Sequence, residues 1–307
     1  MKNKKNNEPE QTAVGIQISK TSNVIINIIF ILICAMCIYP MLLVFMVSFT
    51  DEITVTTNGY TLFPAKFSLE AYKYILSSSA AIIRAYGVSI FCTLFGGLLG
   101  VLIMALYAYP LARQDFKYRT PFNTIAVITM LFSGGLVPTY MVYVNIFHLK
   151  DTLAALILTQ LFTAFNVMII RTYYRTSVPM SLIEAAQIDG AGEFRTFFTI
   201  VFPLAKPVIA TMLMFGMLNY WNDWYGPLLY IDNEKLYNLQ YLMYQIQSKM
   251  ANLSTIAGMG NADAIKNLPS ESARMAMAMV AIGPIILAYP FFQKYFEKGI
   301  TLGATKE

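Results

Sequence analysis

Six apolar runs divide this chain, at about residues 23–48, 83–109, 122–146, 152–170, 205–229 and 273–293. Each is long enough to cross roughly 30 Å of hydrocarbon at about 1.5 Å per helical residue. A backbone surrounded by lipid must satisfy its own hydrogen bonds, so each run predicts a membrane-spanning helix. The polar intervals are uneven. Residues 1–22, rich in Asn, Lys and Gln, predict a tail outside the membrane. The interval 49–82 carries Gly59 and Pro64, then a short helix capped by Ser68. Residues 110–121 make a tight loop, and His148–Asp151 a tighter one that predicts an antiparallel hairpin of the third and fourth spans. The interval 230–272 is the longest. Its Leu236, Leu239, Leu242, Met243, Ile246, Met250 and Leu253 recur at helical spacing and predict a helix lying on the membrane surface, before loop chemistry at Gly258–Asp263 and Leu268–Ser270.

Composition agrees. With 57% hydrophobic and 13% charged residues, the chain has too few ionisable groups to coat a soluble globule of 307 residues. Placement of Lys and Arg gives the orientation. Lys2, Lys4, Lys5, Lys20, Arg113, Lys117, Arg119, Arg171, Arg175, Arg195, Lys206, Lys294, Lys298 and Lys306 fall on one side, 14 of the 22. The other eight are spread over the long intervals opposite. Both termini and the loop around Glu184 are therefore expected in the cytoplasm. Positive residues this dispersed give a topology signal rather than a nucleic-acid footprint. The first span lacks an Ala-x-Ala cleavage pattern and is expected to stay as an anchor. Cys34, Cys37 and Cys92 all lie inside spans, with no nearby His or second Cys pair, and are expected to be small packing residues with no metal.

Small residues mark two further places. Gly96-Gly-Leu-Leu-Gly100 has the G-x-x-x-G spacing that lets helices approach closely. Ser133-Gly-Gly135, followed by Pro138, admits either close packing or a break in mid-span.

The densest chemistry lies between the fourth and fifth spans. Ser181-Leu-Ile-Glu184 fits a capping box, which predicts a helix starting at Ser181. Gly190 is suited to end it in the left-handed conformation. A second short helix follows from Glu193 through Phe194, Phe197 and Ile200, with Pro203 and Pro207 in the first turn of the fifth span. Two readings stand on these residues alone: an interfacial amphipathic loop, or a rigid helix-turn-helix made to be gripped by another protein.

The string Glu184-Ala-Ala186, then Asp189-Gly-Ala191, Phe197, Ile200, Pro203 and Pro207 resembles the EAA loop of ABC importer permeases. One departure is Phe202, where that pattern has Leu; the group stays apolar. Arg171–Pro179, Trp221-Asn-Asp-Trp224 and Gln293–Gly303 resemble carbohydrate permeases of the maltose-permease class, in its complex-oligosaccharide subgroup. The resemblance implies an all-α polytopic membrane protein with six transmembrane helices and the type I ABC importer permease fold. It also implies that Glu184, Ala185, Ala186, Asp189, Gly190, Ala191, Phe197, Ile200 and Pro203 couple the chain to ABC ATPase subunits. Implied as well are a second, different permease, an extracellular solute-binding protein, sugar uptake and a multi-pass place in a bacterial inner or plasma membrane. The chain would hold no cofactor, ATP and Mg being used by the partner ATPases, and would not be an enzyme. No G-x-x-x-x-G-K-[ST] motif is present.

Polar and aromatic residues inside the spans are candidates for a sugar path: Gln160, Asn166, Asn219, Tyr220, Trp221, Asn222, Asp223 and Trp224. An aromatic belt at the membrane interface explains the two Trp equally well. The expected organisation is a tail 1–22, a permease domain 23–293 with coupling loop 171–205 and external segment 230–272, and a cytoplasmic tail 294–307. Alternatives are an importer of the same fold for a peptide, an amino acid or phosphate, and a membrane enzyme, for which a single His and no paired acidic motif leave little material.

Overall fold

The computed structural model describes residues 19–77, 79–257 and 271–304. Among these, every regular element is a helix, apart from one antiparallel bridge between Thr50 and Phe67. The tail before residue 19 and the loop chemistry at 258–263 and 268–270 lie outside the described residues.

Helix α1 (Lys20–Ser48) begins where Ser19 accepts the amide hydrogen of Ser22, just inside the expected tail. It is apolar on all faces and exposed along most of its length, as suits a helix solvated by lipid. Cys34 and Cys37 lie on that exposed stretch, which corrects the expectation that they pack: α1 is buried only at Val47 and Ser48. Cys92 is buried as expected. Two short helices follow, α2 (Glu52–Asn58) and α3 (Glu70–Ser77), and Ser68 caps α3 by accepting from the amide of Glu70.

The second span joins α4 (Ser79–Phe91), a π-helical turn at Cys92–Gly96, and α5 (Gly97–Ala112). It and α1 are the two continuous helices among the described residues that are long and apolar enough to cross a membrane. Of the next three spans, the third breaks where Ser133-Gly-Gly135 admits it, and the fourth and fifth correct the expectation of unbroken helices. The third is α6 (Arg119–Leu131) and α7 (Leu136–Met141), bent by 117° and prolonged by a π turn at Val142–Ile146. Gly135 takes φ 86° at the bend, and no outside atom lies within 3.5 Å of where a Cβ on Gly134 or Gly135 would stand. The glycine pair is therefore a break rather than a packing face. The fourth span is α8 (Leu153–Leu158) and α9 (Ala164–Ser177), interrupted over Thr159–Thr163 and continuing past residue 170.

Beyond α9 come α10 (Met180–Ile188) and α11 (Glu193–Thr196), a π turn at Phe197–Val201, and α12 (Phe202–Leu204). The chain then turns by 84° into α13 (Lys206–Trp221), the fifth span, which breaks at Asn222 before α14 (Tyr225–Tyr230). Helix α15 (Leu239–Ala257) forms where the apolar spacing predicts a helix, and buries Leu239 and Met243. Helix α16 (Glu271–Ala304) is one helix containing Pro284 and Pro290, so the sixth span runs on through most of the segment expected as a separate tail.

Apolar side chains gain little by leaving lipid for protein, so close fit has to hold these helices together. The Gly96–Gly100 face supplies it. Cβ atoms on Gly96 and Gly97 would lie 2.6 Å from the Tyr220 ring and 2.9 Å from Met217, both on α13. A cluster of Leu111, Val167, Ile170, Tyr174, Phe197, Val201 and Met212 joins α5, α9 and α13 at the end that carries α10 and α11. At the opposite end Trp221, Leu239, Met243 and Met277 join α13, α15 and α16. The third-to-fourth hairpin is pinned by Asp151, whose Oδ1 accepts the amide hydrogens of Asp232 at 2.7 Å and Asn233 at 2.8 Å.

Candidate functional site

The loop from Pro179 to Pro207 is built differently at its two ends. No capping box forms at Ser181, because Pro179, with φ −63° and an extended ψ, takes the position before the helix and α10 starts at Met180. Ser181 thus falls within the first turn. The other end forms as its glycine predicts. Gly190, at φ 77°, donates to Gln187 O at 3.0 Å, while Ala191 donates to Ala186 O at 2.9 Å, the paired bonds of a Schellman motif. The turn satisfies two carbonyls that the end of α10 would otherwise leave bare.

The residues of the Glu184–Pro203 string fall into two sets. Glu184, Ala185, Asp189 and Gly190 are exposed, whereas Ala186 is buried, Ala191, Ile200 and Pro203 are half-buried, and Phe197 is 1% exposed. Phe197 is a plug: its ring lies 5.5 Å from Tyr109 on α5 and within the cluster shared with α9 and α13. The outer set is accompanied by two apolar side chains that its polarity did not flag, Ile188 at 87% and Phe194 at 73% exposure. These two apolar side chains stand bare on a rigid turn beside the carboxylates of Glu184 and Asp189.

Beneath this surface lies an ion network that sequence reading missed, since Arg113 was counted there only as a topology charge. Arg113 caps the end of α5 and is 8% exposed. Its Nε donates to Asp115 Oδ1 at 2.8 Å, Nη1 donates to Tyr109 Oη at 3.2 Å, and it is ion-paired with both Asp115 and Glu193. Tyr109 in turn donates to Glu193 Oε2 at 2.9 Å. Bonding to Asp115, opposed by burial and helped by Glu193, holds the guanidinium firmly charged, and Arg113 holds the Asp115 carboxyl below its ordinary value. The network walls an open cleft of about 550 Å³ with Phe116, Lys117 and Phe194. No signal short of the fold joins residue 113 to residue 193.

The sugar-path candidates separate as well. Gln160, Asn166, Asn219 and Tyr220 line one crevice with Gly96, Gly97 and Gly100, at the break in the fourth span. Its free volume, about 20 Å³, admits a water molecule and no sugar ring. Tyr220 donates to Ile157 O at 2.7 Å. Asp223 accepts from the amide of Gly226 at 2.8 Å and from Gln160, which ties the breaks of the fourth and fifth spans together. Trp221 is not part of this group: it is buried and donates its indole N–H to Ala281 O at 3.1 Å. Trp224 lies on another surface, 42% exposed and stacked on Tyr244 at 4.9 Å, while Asn222 is exposed. Among the described residues, no three His, Cys, Asp or Glu gather as metal ligands.

Residues 112–302 match the profile of a family described as binding-protein-dependent transport system inner membrane components. Two proteins of Bacillus subtilis are each 37% identical to this chain. Protein LplC aligns over 89% of this chain and 90% of its own length, and the polygalacturonan/rhamnogalacturonan transport system permease protein YtcP over 88% and 93%. An arabinooligosaccharide transport permease of Halalkalibacterium halodurans, AraQ, is 28% identical over 94% of this chain and 99% of its own. Among solved structures, a chain of a bacterial ABC transporter involved in importing the acidic polysaccharide alginate superposes with a TM-score of 0.77. It is 26% identical, and the match covers 91% of this chain and 99% of that one.

Proposed function

This chain belongs to the family of binding-protein-dependent transport system inner membrane components, and we propose that it is one permease subunit of an ATP-driven importer of an oligosaccharide. The observation that carries the reading is the rigid turn at Gly190, which presents Glu184, Asp189, Ile188 and Phe194 outward while Phe197 anchors it among the spans. A loop rooted in this way transmits motion, because a push on its outer half cannot be absorbed within it. The partner that pushes is an ABC ATPase, docked on the loop in the cytoplasm. A second, unlike permease completes the path, and an external solute-binding protein delivers the sugar. Two of the similar proteins are named for acidic polysaccharides, so a uronate-bearing oligosaccharide is the first ligand to test.

In this reading both termini are cytoplasmic, which rests on the placement of 14 of the 22 Lys and Arg residues. Single cysteines at Ser181 and Asn252, in a chain otherwise free of Cys, label from opposite sides of the membrane; labelling of both from outside overturns the orientation. Function is tested with the complete importer in liposomes, supplied with its binding protein and either uronate or neutral oligosaccharides. ATP-dependent accumulation of either establishes sugar import. Accumulation only of peptides, amino acids or phosphate refutes it. Coupling is tested with Gly190→Val, which strains the φ 77° turn: the variant still inserts, and transport per ATP hydrolysed falls. Transport at the normal rate, with the ATPase still attached, sinks the coupling role.

A further inference from the structure

Phe197 roots the loop against Tyr109 of α5, and Arg113 adds a polar hold on the same helix end. Arg113 stands at the end of α5, the helix whose glycine face fits against Tyr220 and Met217 of α13. Glu193 is the first residue of α11, and its carboxylate also accepts from Tyr109 of α5. The Arg113 guanidinium is nearly buried while the Asp115 and Glu193 carboxylates that meet it, from two separate loops, are about half exposed, so removing Arg113 leaves both carboxylates without their cation. A surface loop needs no such device merely to fold. Here the device joins the 113–119 loop to the loop that carries the Gly190 turn, beside an open cleft of about 550 Å³.

We propose that Arg113, through Glu193 and Tyr109, is a positioning residue that latches the coupling loop to α5, so that displacement of the loop moves the second span as one body with it. The proposal rests on the reading of the Glu184–Pro207 loop as the coupling loop. It assigns a route for the motion: from the Gly190 turn to Glu193, across to Arg113, and along α5 to the Gly96–Gly100 face, where the fourth-span break and Tyr220 meet. Asp115 keeps the guanidinium aimed by holding its Nε side.

The test uses the assembled importer in liposomes. Arg113→Met and Glu193→Gln each lower sugar transported per ATP hydrolysed about five- to tenfold, the range of an ordinary coupling energy. The double variant is no worse than the worse single, because both remove one interaction. Independent losses that multiply in the double variant overturn the latch, as do singles with normal coupling. A second measurement stands even if Arg113→Met fails to assemble. Spin labels at positions 117 and 195, in a Cys-free chain, keep their separation within about 2 Å between the nucleotide-free and ATP-bound states. A larger change in the otherwise native chain shows that the two loops move apart and refutes the proposal. Gly190→Val separates the two levels: if it uncouples and the Arg113 and Glu193 variants do not, only the latch fails, whereas normal coupling in Gly190→Val removes the coupling reading beneath it.

Discussion

The backbone of Gly100 in the second span approaches the carbonyl oxygen of Leu161, in the fourth-span break, so closely that a Cβ on Gly100 would stand 2.9 Å from it. A carbonyl in a broken helix has no intrahelical partner to hold it in place, and here the glycine backbone packs directly against it. Gly100→Ala forces backbone to move and costs on the order of 1 to 3 kcal/mol. Gly97→Ala meets the flexible Met217 side chain at the same 2.9 Å and costs less. Thermal stability of the detergent-solubilised complex ranks the two, and equal losses refute the argument.

How much of this was legible in the chain follows from where its signals are local. The helical character of the apolar runs, the Ser68 cap and the Gly190 turn depend on neighbouring residues, and the structure forms them, although among the described residues only two of the runs are continuous helices long enough to span. The third-span break is signalled by Ser133-Gly-Gly135 and Pro138, but those of the fourth and fifth are not, because periodicity measures apolarity, and a span broken at Gln160 or Asn222 is nearly as apolar as a whole one. The Ser181 capping box failed for a local reason that was visible but outweighed: Pro179 fixes its own φ and takes the entry position. The link from Arg113 to Glu193 spans 80 positions and has no pattern at all.

Glu52 reaches from α2 to the start of α16. Its Oε1 accepts the amide hydrogen of Glu271 at 3.0 Å, and its Oε2 accepts from the amide and the hydroxyl of Ser272, at 2.9 and 2.7 Å. This is helix capping delivered from a distant segment, and Ser272 is 2% exposed. Glu52→Ala leaves three donors without their acceptor and destabilises the N-terminal end of α16 by on the order of 1 to 2 kcal/mol. Glu52→Gln, which keeps one acceptor, falls between. Hydrogen exchange over residues 271–276 measures the loss; unchanged protection in Glu52→Ala overturns it.

Acid stability carries the signature of Asp115. Bonding to Arg113 lowers its pKa from the ordinary value of 3.8. A carboxyl depressed in the folded state stabilises it fully above the unfolded pKa, and the contribution is lost as pH falls through the lower, folded value. The Asp115–Arg113 pair therefore survives any acidification that stays above about pH 4. Below that, wild type loses stability more steeply with falling pH than Asp115→Asn, which has no proton to take up. Parallel acid-unfolding curves for the two proteins contradict this.

The crevice residues and the neighbouring Trp pair respond differently to substitution. Asn219 and Gln160 line the crevice at the paired breaks, and Gln160 also donates to Asp223. If the sugar passes there, Asn219→Ala and Gln160→Ala remove hydrogen-bonding groups that typically contribute on the order of 1 kcal/mol each, and transport falls severalfold at limiting sugar while assembly holds. Trp221→Ala instead empties a site packed against α16 and removes the indole hydrogen bond to the Ala281 carbonyl, so complex yield falls before transport per complex does. Trp224, stacked on Tyr244 away from the crevice, belongs to the path only if its loss also raises the sugar concentration needed for half-maximal uptake. Normal uptake at limiting sugar by both crevice variants, with uptake per complex also normal in Trp224→Ala, leaves this subunit without a sugar contact among these residues and assigns recognition to the partner permease.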